Sequence, residues 1–138
     1  MICLKQLNGN LENSKMPSLI PLTLGQKQRL FVKLVSKLID YAYSSGYELS
    51  FGEAYRSPEQ AKINAASGAG ISNSLHISRL AIDLNLFRNG EYFDESAAHK
   101  PLGEFWESLS TPDYTCVWGG RFQKPDGNHY SISHNGVK

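Results

Sequence analysis

Arg79-Leu80-Ala81-Ile82-Asp83-Leu84-Asn85-Leu86-Phe87, followed at once by Arg88-Asn89-Gly90-Glu91-Tyr92-Phe93, is the stretch that decides the fold. Leu80, Ile82, Leu84 and Leu86 fall on one side of an extended chain, and Ala81, Asp83 and Asn85 on the other. An aliphatic face opposite a small, polar face describes a half-buried strand. Asn89-Gly90 is the dipeptide that closes a two-residue hairpin, because both central residues of that turn need a positive φ. Glu91-Tyr92-Phe93 should therefore return antiparallel to the first strand.

Working outward, Thr23 with Gln26 three residues later is a capping box. Leu24, Leu30, Phe31, Leu34, Val35, Leu38, Ile39 and Ala42 then recur at helical spacing, and Gly46 is a natural stop. Tyr47, Leu49 and Phe51 alternate with polar residues and predict a short strand. Ser57-Pro58-Glu59-Gln60 is a second capping box, opening a short helix that runs to about Ala66. Pro101 to Leu109 carries one apolar helical face, and residues 114–118 and 128–133 read as two more strands around the turn Gln123-Lys124-Pro125-Asp126-Gly127. Helices and hairpin strands in separate blocks imply an α+β fold, a small, mostly antiparallel sheet with helices packed on one side. Residues 1–22, interrupted by Pro17 and Pro21, are expected to be a lead-in, and residues 23–138 a single domain.

The bulk numbers exclude more than they assign. The chain has 138 residues, 41% hydrophobic and 20% charged, as ordinary globular domains do. Fourteen Lys and Arg against thirteen Asp and Glu leave a net charge of +1, without the basic excess of a nucleic-acid binder. No apolar run approaches the roughly 20 residues that span a bilayer, and Lys5, Gln6, Asn8 and Asn10 break any export signal. Cys3 and Cys116 are expected to be free thiols, Cys116 as a small buried hydrophobe.

His76, Asp83, Asp126 and His129 are the residues able to carry chemistry. In one straight strand, the seven steps from His76 to Asp83 would span roughly 23 Å. In one helix the two would stand about 10 Å apart. Metal–ligand bonds are only about 2.0–2.2 Å, so both bind one ion only if the chain bends at Ile77-Ser78-Arg79. His129 shares a strand face with Ser131, which makes it available to a site on the sheet's polar face. Two histidines and a carboxylate from separate segments suit a three-ligand zinc site with an open position. Asp126 is then close enough to act as a base that is not itself a ligand. Each residue also has a plainer reading. Asp126-Gly127 is an ordinary turn pair, Arg56 a surface ion-pair partner and Ser74 a local cap. His99 and His134 have only the plain reading, with His134 the substitute should His129 not serve.

Taken in order, Tyr55-Arg56-Ser57-Pro58-Glu59-Gln60, Ser74-Leu75-His76 through Asp83, Trp118-Gly119-Gly120 and Asp126-Gly127-Asn128-His129-Tyr130 resemble the zinc peptidases of the D-alanyl-D-alanine carboxypeptidase (VanY-like) and L-alanyl-D-glutamate endopeptidase family. The likeness is strongest to small phage-encoded lytic members. It implies His76, Asp83 and His129 as ligands of one Zn2+ ion, with Asp126 and Arg56 as catalytic residues. Arg56, Ser74, Gln60 and Trp118 would be substrate contacts. Relatives often have Gly where this chain has Arg79, which could alter the bend or point a cation into the cleft. Ser131, where many relatives have an acid, could alter the support of His129.

The resemblance implies an endolysin-like peptidase cutting the peptidoglycan stem peptide, with a D-alanyl-D-alanine carboxypeptidase or a non-catalytic, zinc-stabilised wall-binding domain as alternatives. The expected partner is the stem peptide, with no nucleic acid, no stable membrane insertion and a monomeric state. Such an enzyme would be made in the host cytoplasm without a signal peptide. It would act on the wall after release or as a virion component.

Overall fold

The computed structural model describes residues 20–68 and 73–138, so most of the lead-in, including Cys3, lies outside the described residues. Thr23 caps α1 (Leu24–Ser44) as the capping box requires: its Oγ1 accepts from the Gln26 N–H at 3.2 Å, and its own N–H donates to Gln26 Oε1 at 2.8 Å. Phe31, Leu34, Val35, Leu38 and Ala42 form the buried stripe, while Leu24 is partly exposed. Gly46 ends the helix at φ +86°, a conformation that costs glycine least. After β1 (Glu48–Phe51), Ser57 caps α2 (Pro58–Ala66), but the second capping box is only half made. Ser57 Oγ accepts from the Gln60 N–H, whereas the Gln60 side chain turns forward to Asn64 Oδ1 at 2.8 Å.

The decisive strand is β2 (Ala81–Arg88), and Asn89-Gly90 turns it into β3 (Glu91–Phe93). Both turn residues have positive φ, +52° and +76°, as a tight hairpin with right-twisted strands demands. A 3-10 turn (Ser96–His99) leads into α3 (Lys100–Ser108), so helical winding begins earlier than the spacing predicted. β4 (Cys116–Trp118), a second 3-10 turn (Gly119–Arg121) and β5 (His129–Ile132) complete the order. The strands pair antiparallel in the order β1-β2-β5-β4, with β3 on the far end of β2. Both late strands are shorter than expected.

One face of the sheet is covered by α1 and α3. Phe31, Leu38, Leu102 and Trp106 from these helices pack with Leu80, Leu84, Leu86, Tyr130 and Ile132. Each fully buried leucine here contributes about 2–3 kcal/mol by leaving water. The indole Nε1–H of Trp106 also donates to the Ser131 carbonyl at 3.0 Å, tying α3 to β5. α2 contributes only Ala61 to the buried residues. The polar face is narrower than the alternation implied. Ala81 and Ser131 are both buried, and it opens at Asp83, opposite His129, and at Asn85, opposite Ser50. Cys116 is a free, buried thiol that burial pushes up to about 12, so it is a packing residue and not a nucleophile.

Candidate metal centre

Register brings two of the proposed ligands together. Asp83 on β2 pairs directly with His129 on β5, and side chains directly opposite on one face lie within about 5 Å of each other. His76 arrives from a compact turn. Its carbonyl accepts from the Arg79 N–H at 3.3 Å, and the Leu80 N–H returns to the Leu75 carbonyl at 3.0 Å. The expected bend is therefore present, and Arg79 takes the left-handed conformation, φ +56°, that glycine would adopt more cheaply. The Arg79 guanidinium stacks over the Tyr55 ring at 4.0 Å and lies outside the cleft that the ligands line.

Three donor atoms converge. Asp83 Oδ1 is 3.3 Å from His76 Nε2 and 3.5 Å from His129 Nδ1, and all three atoms lie within 4.8 Å of one another. His76 Nδ1–H donates to the Ala54 carbonyl at 3.0 Å, which leaves Nε2 with its lone pair facing Asp83. Ser74 Oγ accepts from the His76 backbone N–H at 3.2 Å and fixes the turn. Asp83 Oδ1 is buried without a hydrogen-bond partner among the described residues. Lone pairs aimed at one another around an unsatisfied carboxylate oxygen need a proton or a cation between them. Ligands bound at about 2.0–2.1 Å around a tetrahedral ion stand roughly 3.4 Å apart. The spacing and the donor types fit a divalent metal.

Without the metal, the ionisations express the same convergence. Burial alone would raise the Asp83 carboxyl, but the neighbouring His129 and His76 imidazoles outweigh it and bring it down to about 2. Burial opposes the charged form of His76, yet Asp83, the Ala54 carbonyl and Glu53 shift the imidazole upward on balance. Asp126 is shifted upward by burial and by the neighbouring Asp83 charge, against the pull of His129, His76 and Arg56.

The three candidate ligands line a cleft of about 480 Å³ together with Arg56, Ser74, Phe122, Lys124 and Asp126. Asp126 Oδ2 stands 4.0 Å from His129 Nδ1, at the edge of the centre and more exposed than the ligands. Gly119 supports that placement. Its carbonyl accepts from the Asp126 N–H at 2.9 Å, and a Cβ at Gly119 would come within 2.2 Å of the Asp126 carbonyl. Arg56 lines the cleft as expected, its guanidinium paired with Glu53.

Two expected substrate contacts lie elsewhere. Gln60 is exposed on α2 and paired with Asn64. Trp118 is buried, and its Nε1–H donates to the Gly127 carbonyl at 2.7 Å, so it braces the Asp126 turn from below. An indole in the Trp-Gly-Gly stretch serves the scaffold because its N–H satisfies a backbone carbonyl that packing would otherwise strand. His99 is buried against Tyr130, and His134 Nδ1 lies 3.3 Å from Lys27 Nζ, so neither joins the centre. His129 Nε2 is buried without a partner among the described residues. The sequence reading passed over Glu53, Phe122 and Lys124. Glu53, three residues before Arg56, was the most visible of them as a charge pair.

A second cleft of about 490 Å³ lies between α1 and β1, lined by Phe31, Val35, Ile39, Phe51, Tyr55 and Ile82. Its lining is almost wholly apolar apart from Arg79, and among the described residues it brings together no acid and no ligand set.

Residues 67–132 match the model of a family described as D-alanyl-D-alanine carboxypeptidase. Among solved structures, the chain resembles the Serratia marcescens L-Ala D-Glu endopeptidase ChiX, with a TM-score of 0.58 and 17% sequence identity over 83% of this chain and 90% of that one. That identity supports a common fold. No curated protein matches the sequence.

Proposed function

We propose that this chain belongs to the VanY-like peptidase family, as its match over residues 67–132 and its fold support, and is a zinc-dependent peptidase of the peptidoglycan stem peptide. The observation that carries the reading is the convergence of His76 Nε2, Asp83 Oδ1 and His129 Nδ1 inside a cleft that also holds Asp126 and Arg56. When bound there, a zinc ion supplies Lewis acidity: it polarises a carbonyl oxygen and makes water acidic enough to ionise near neutral pH.

The chain's own groups do the rest. Asp126 is a carboxylate beside the centre and not in the ligand set, which suits it to take a proton from the attacking water and pass it to the leaving amine. Arg56, held in place by Glu53, donates to the oxygen on which negative charge develops as the carbonyl is attacked. Ser74 holds the turn that presents His76. Lys124 adds a cation to the cleft wall, suited to a carboxylate of the stem peptide.

Within this chemistry the favoured reaction is endopeptidic, at the L-alanyl-D-glutamate bond. Support comes from the fold shared with an L-Ala D-Glu endopeptidase. A D-alanyl-D-alanine carboxypeptidase is the second reading, favoured by the description of the matched family. The biological setting we favour is a phage lytic enzyme acting on the wall after release from the host cytoplasm or from a virion. Among the described residues no helix is long and apolar enough to cross a membrane. Mass analysis of the fragments released from purified peptidoglycan distinguishes the readings. New D-glutamate amino termini support the endopeptidase, free D-alanine supports the carboxypeptidase, and an intact wall in the presence of zinc rejects both.

A further inference from the structure

Residues 52–56 form a strap whose contacts concentrate on the metal-binding residues. The Gly52 N–H donates to the Asp83 carbonyl at 2.8 Å, and the Asp83 N–H donates to the Glu53 carbonyl at 2.8 Å. The Ala54 carbonyl accepts from His76 Nδ1–H at 3.0 Å, and the Arg56 N–H donates to the His76 carbonyl at 3.2 Å. The strap lies so close to β2 that a Cβ on Gly52 would meet Asp83 Cβ and its carbonyl oxygen at 3.0 Å.

Besides Arg56, the strap carries one charged side chain, Glu53, and a single oxygen of it serves two functional residues. Glu53 Oε1 pairs with Arg56 Nη2 and stands 3.7 Å from His76 Nδ1. A carboxylate beside Nδ1 favours the tautomer with its proton there, which leaves Nε2 free to bind metal. The same carboxylate immobilises a guanidinium that would otherwise sample many rotamers, and it compensates a cation whose side chain is only 14% exposed. His129 has no comparable support, since its Nε2 is buried without a partner among the described residues.

We propose that Glu53 is a positioning residue of this centre: one carboxylate oxygen aims the Arg56 guanidinium into the cleft and holds His76 in the tautomer whose Nε2 faces Asp83. The proposal rests on the metal-peptidase reading above, and its test includes a readout that needs no substrate.

Zinc affinity is measured by chelator competition for the parent, Glu53→Gln and Glu53→Asp, alongside kcat and KM on a stem peptide and the thermal midpoint of each metal-free protein. Glu53→Gln should bind zinc severalfold more weakly, short of the 10–100-fold that losing a hydrogen-bonded outer partner costs because the Ala54 carbonyl still holds the Nδ1 proton, and should lose kcat more than KM. Glu53→Asp should recover part of both. In an Arg56→Gln background, adding Glu53→Gln should still weaken zinc binding, because that effect runs through His76. Parental zinc affinity and kcat in Glu53→Gln overturn the proposal, as does a lowered thermal midpoint with both values unchanged in the folded protein. Should Glu53→Gln fail to fold, Glu53→Ala carries the same comparison, and parental values there overturn it equally. A parent that binds no zinc overturns the metal reading and this proposal with it, whereas a zinc-binding parent beside an unchanged variant overturns this proposal alone.

Discussion

His99 lies in the interior, 2% exposed, with Nδ1 3.0 Å from the Tyr130 hydroxyl and a further hydrogen bond to the Phe93 backbone. Burial drives its imidazole from 6.5 down to about 4, and the Phe93 bond only partly resists. In the unfolded chain the ring should titrate near 6.5. Between about pH 6.5 and pH 4, then, the unfolded chain binds a proton that the native protein refuses. Stability rises with pH wherever the unfolded state binds more protons. The contribution is therefore complete above about pH 6.5 and is lost as pH falls toward 4. A difference of about 2.5 pKa units corresponds to about 3 kcal/mol. For a domain of this size that is on the order of 10 °C in thermal midpoint. The perturbation is His99→Gln, which can still meet the Tyr130 hydroxyl but does not titrate. Denaturant unfolding of metal-free parent and variant at pH 7, 5.5 and 4 isolates the effect as a double difference. The variant should be the less stable at pH 7 because of imperfect packing. The gap between the two should move by about 3 kcal/mol in its favour by pH 4. Asp83, brought down to about 2, loses its contribution mainly below pH 4 and cancels in the comparison. A gap that stays constant across the window would refute the buried, neutral imidazole.

Gly119→Ala places a methyl group 2.2 Å from the Asp126 carbonyl and 2.8 Å from His129 Cβ, neither of which can retreat without moving the centre. It should cost about 1–3 kcal/mol in denaturant unfolding and at least 10-fold in kcat, because small displacements of reacting groups are expensive. A parental kcat would contradict this role of the glycine. Arg79→Gly relieves a left-handed φ worth about 1 kcal/mol and removes a stacking contact on Tyr55 of similar size. Stability should stay within about 1 kcal/mol and stem-peptide kcat should not change. A 10-fold loss of activity in a normally folded Arg79→Gly protein would return that side chain to the cleft.

The parts of the structure legible in sequence are those written in short-range chemistry. Thr23 with Gln26, Gly46 and Asn89-Gly90 each satisfy or demand a specific backbone conformation, so each marks its own helix end or turn. The alternation along β2 separated the core face from the ligand face for the same reason. Contacts set by register were less visible. Nothing local in either strand states that Asp83 stands opposite His129, and it was the family's motif that paired them. Trp118 and Gln60 do not line the cleft, because a motif records which residues accompany an activity without recording which of them face it. The fold uses the Trp118 indole to brace a turn, and helix α2 pairs Gln60 with its own next turn. Glu53 was passed over because the charge of a lone acid is uninformative until the strap's path beside His76 is known.

The central claim is that His76, Asp83 and His129 hold one catalytic zinc and that Asp126 is the base beside it. The most direct test measures bound zinc and stem-peptide cleavage together, on the parent before and after chelation and on Asp126→Ala. The parent should bind one zinc ion per chain, lose cleavage on chelation and regain it when zinc is restored, while Asp126→Ala keeps its zinc and loses at least 100-fold in kcat, as expected for a general base. Cleavage that survives chelation, or an Asp126→Ala protein that holds zinc and cleaves at the parental rate, would contradict the account.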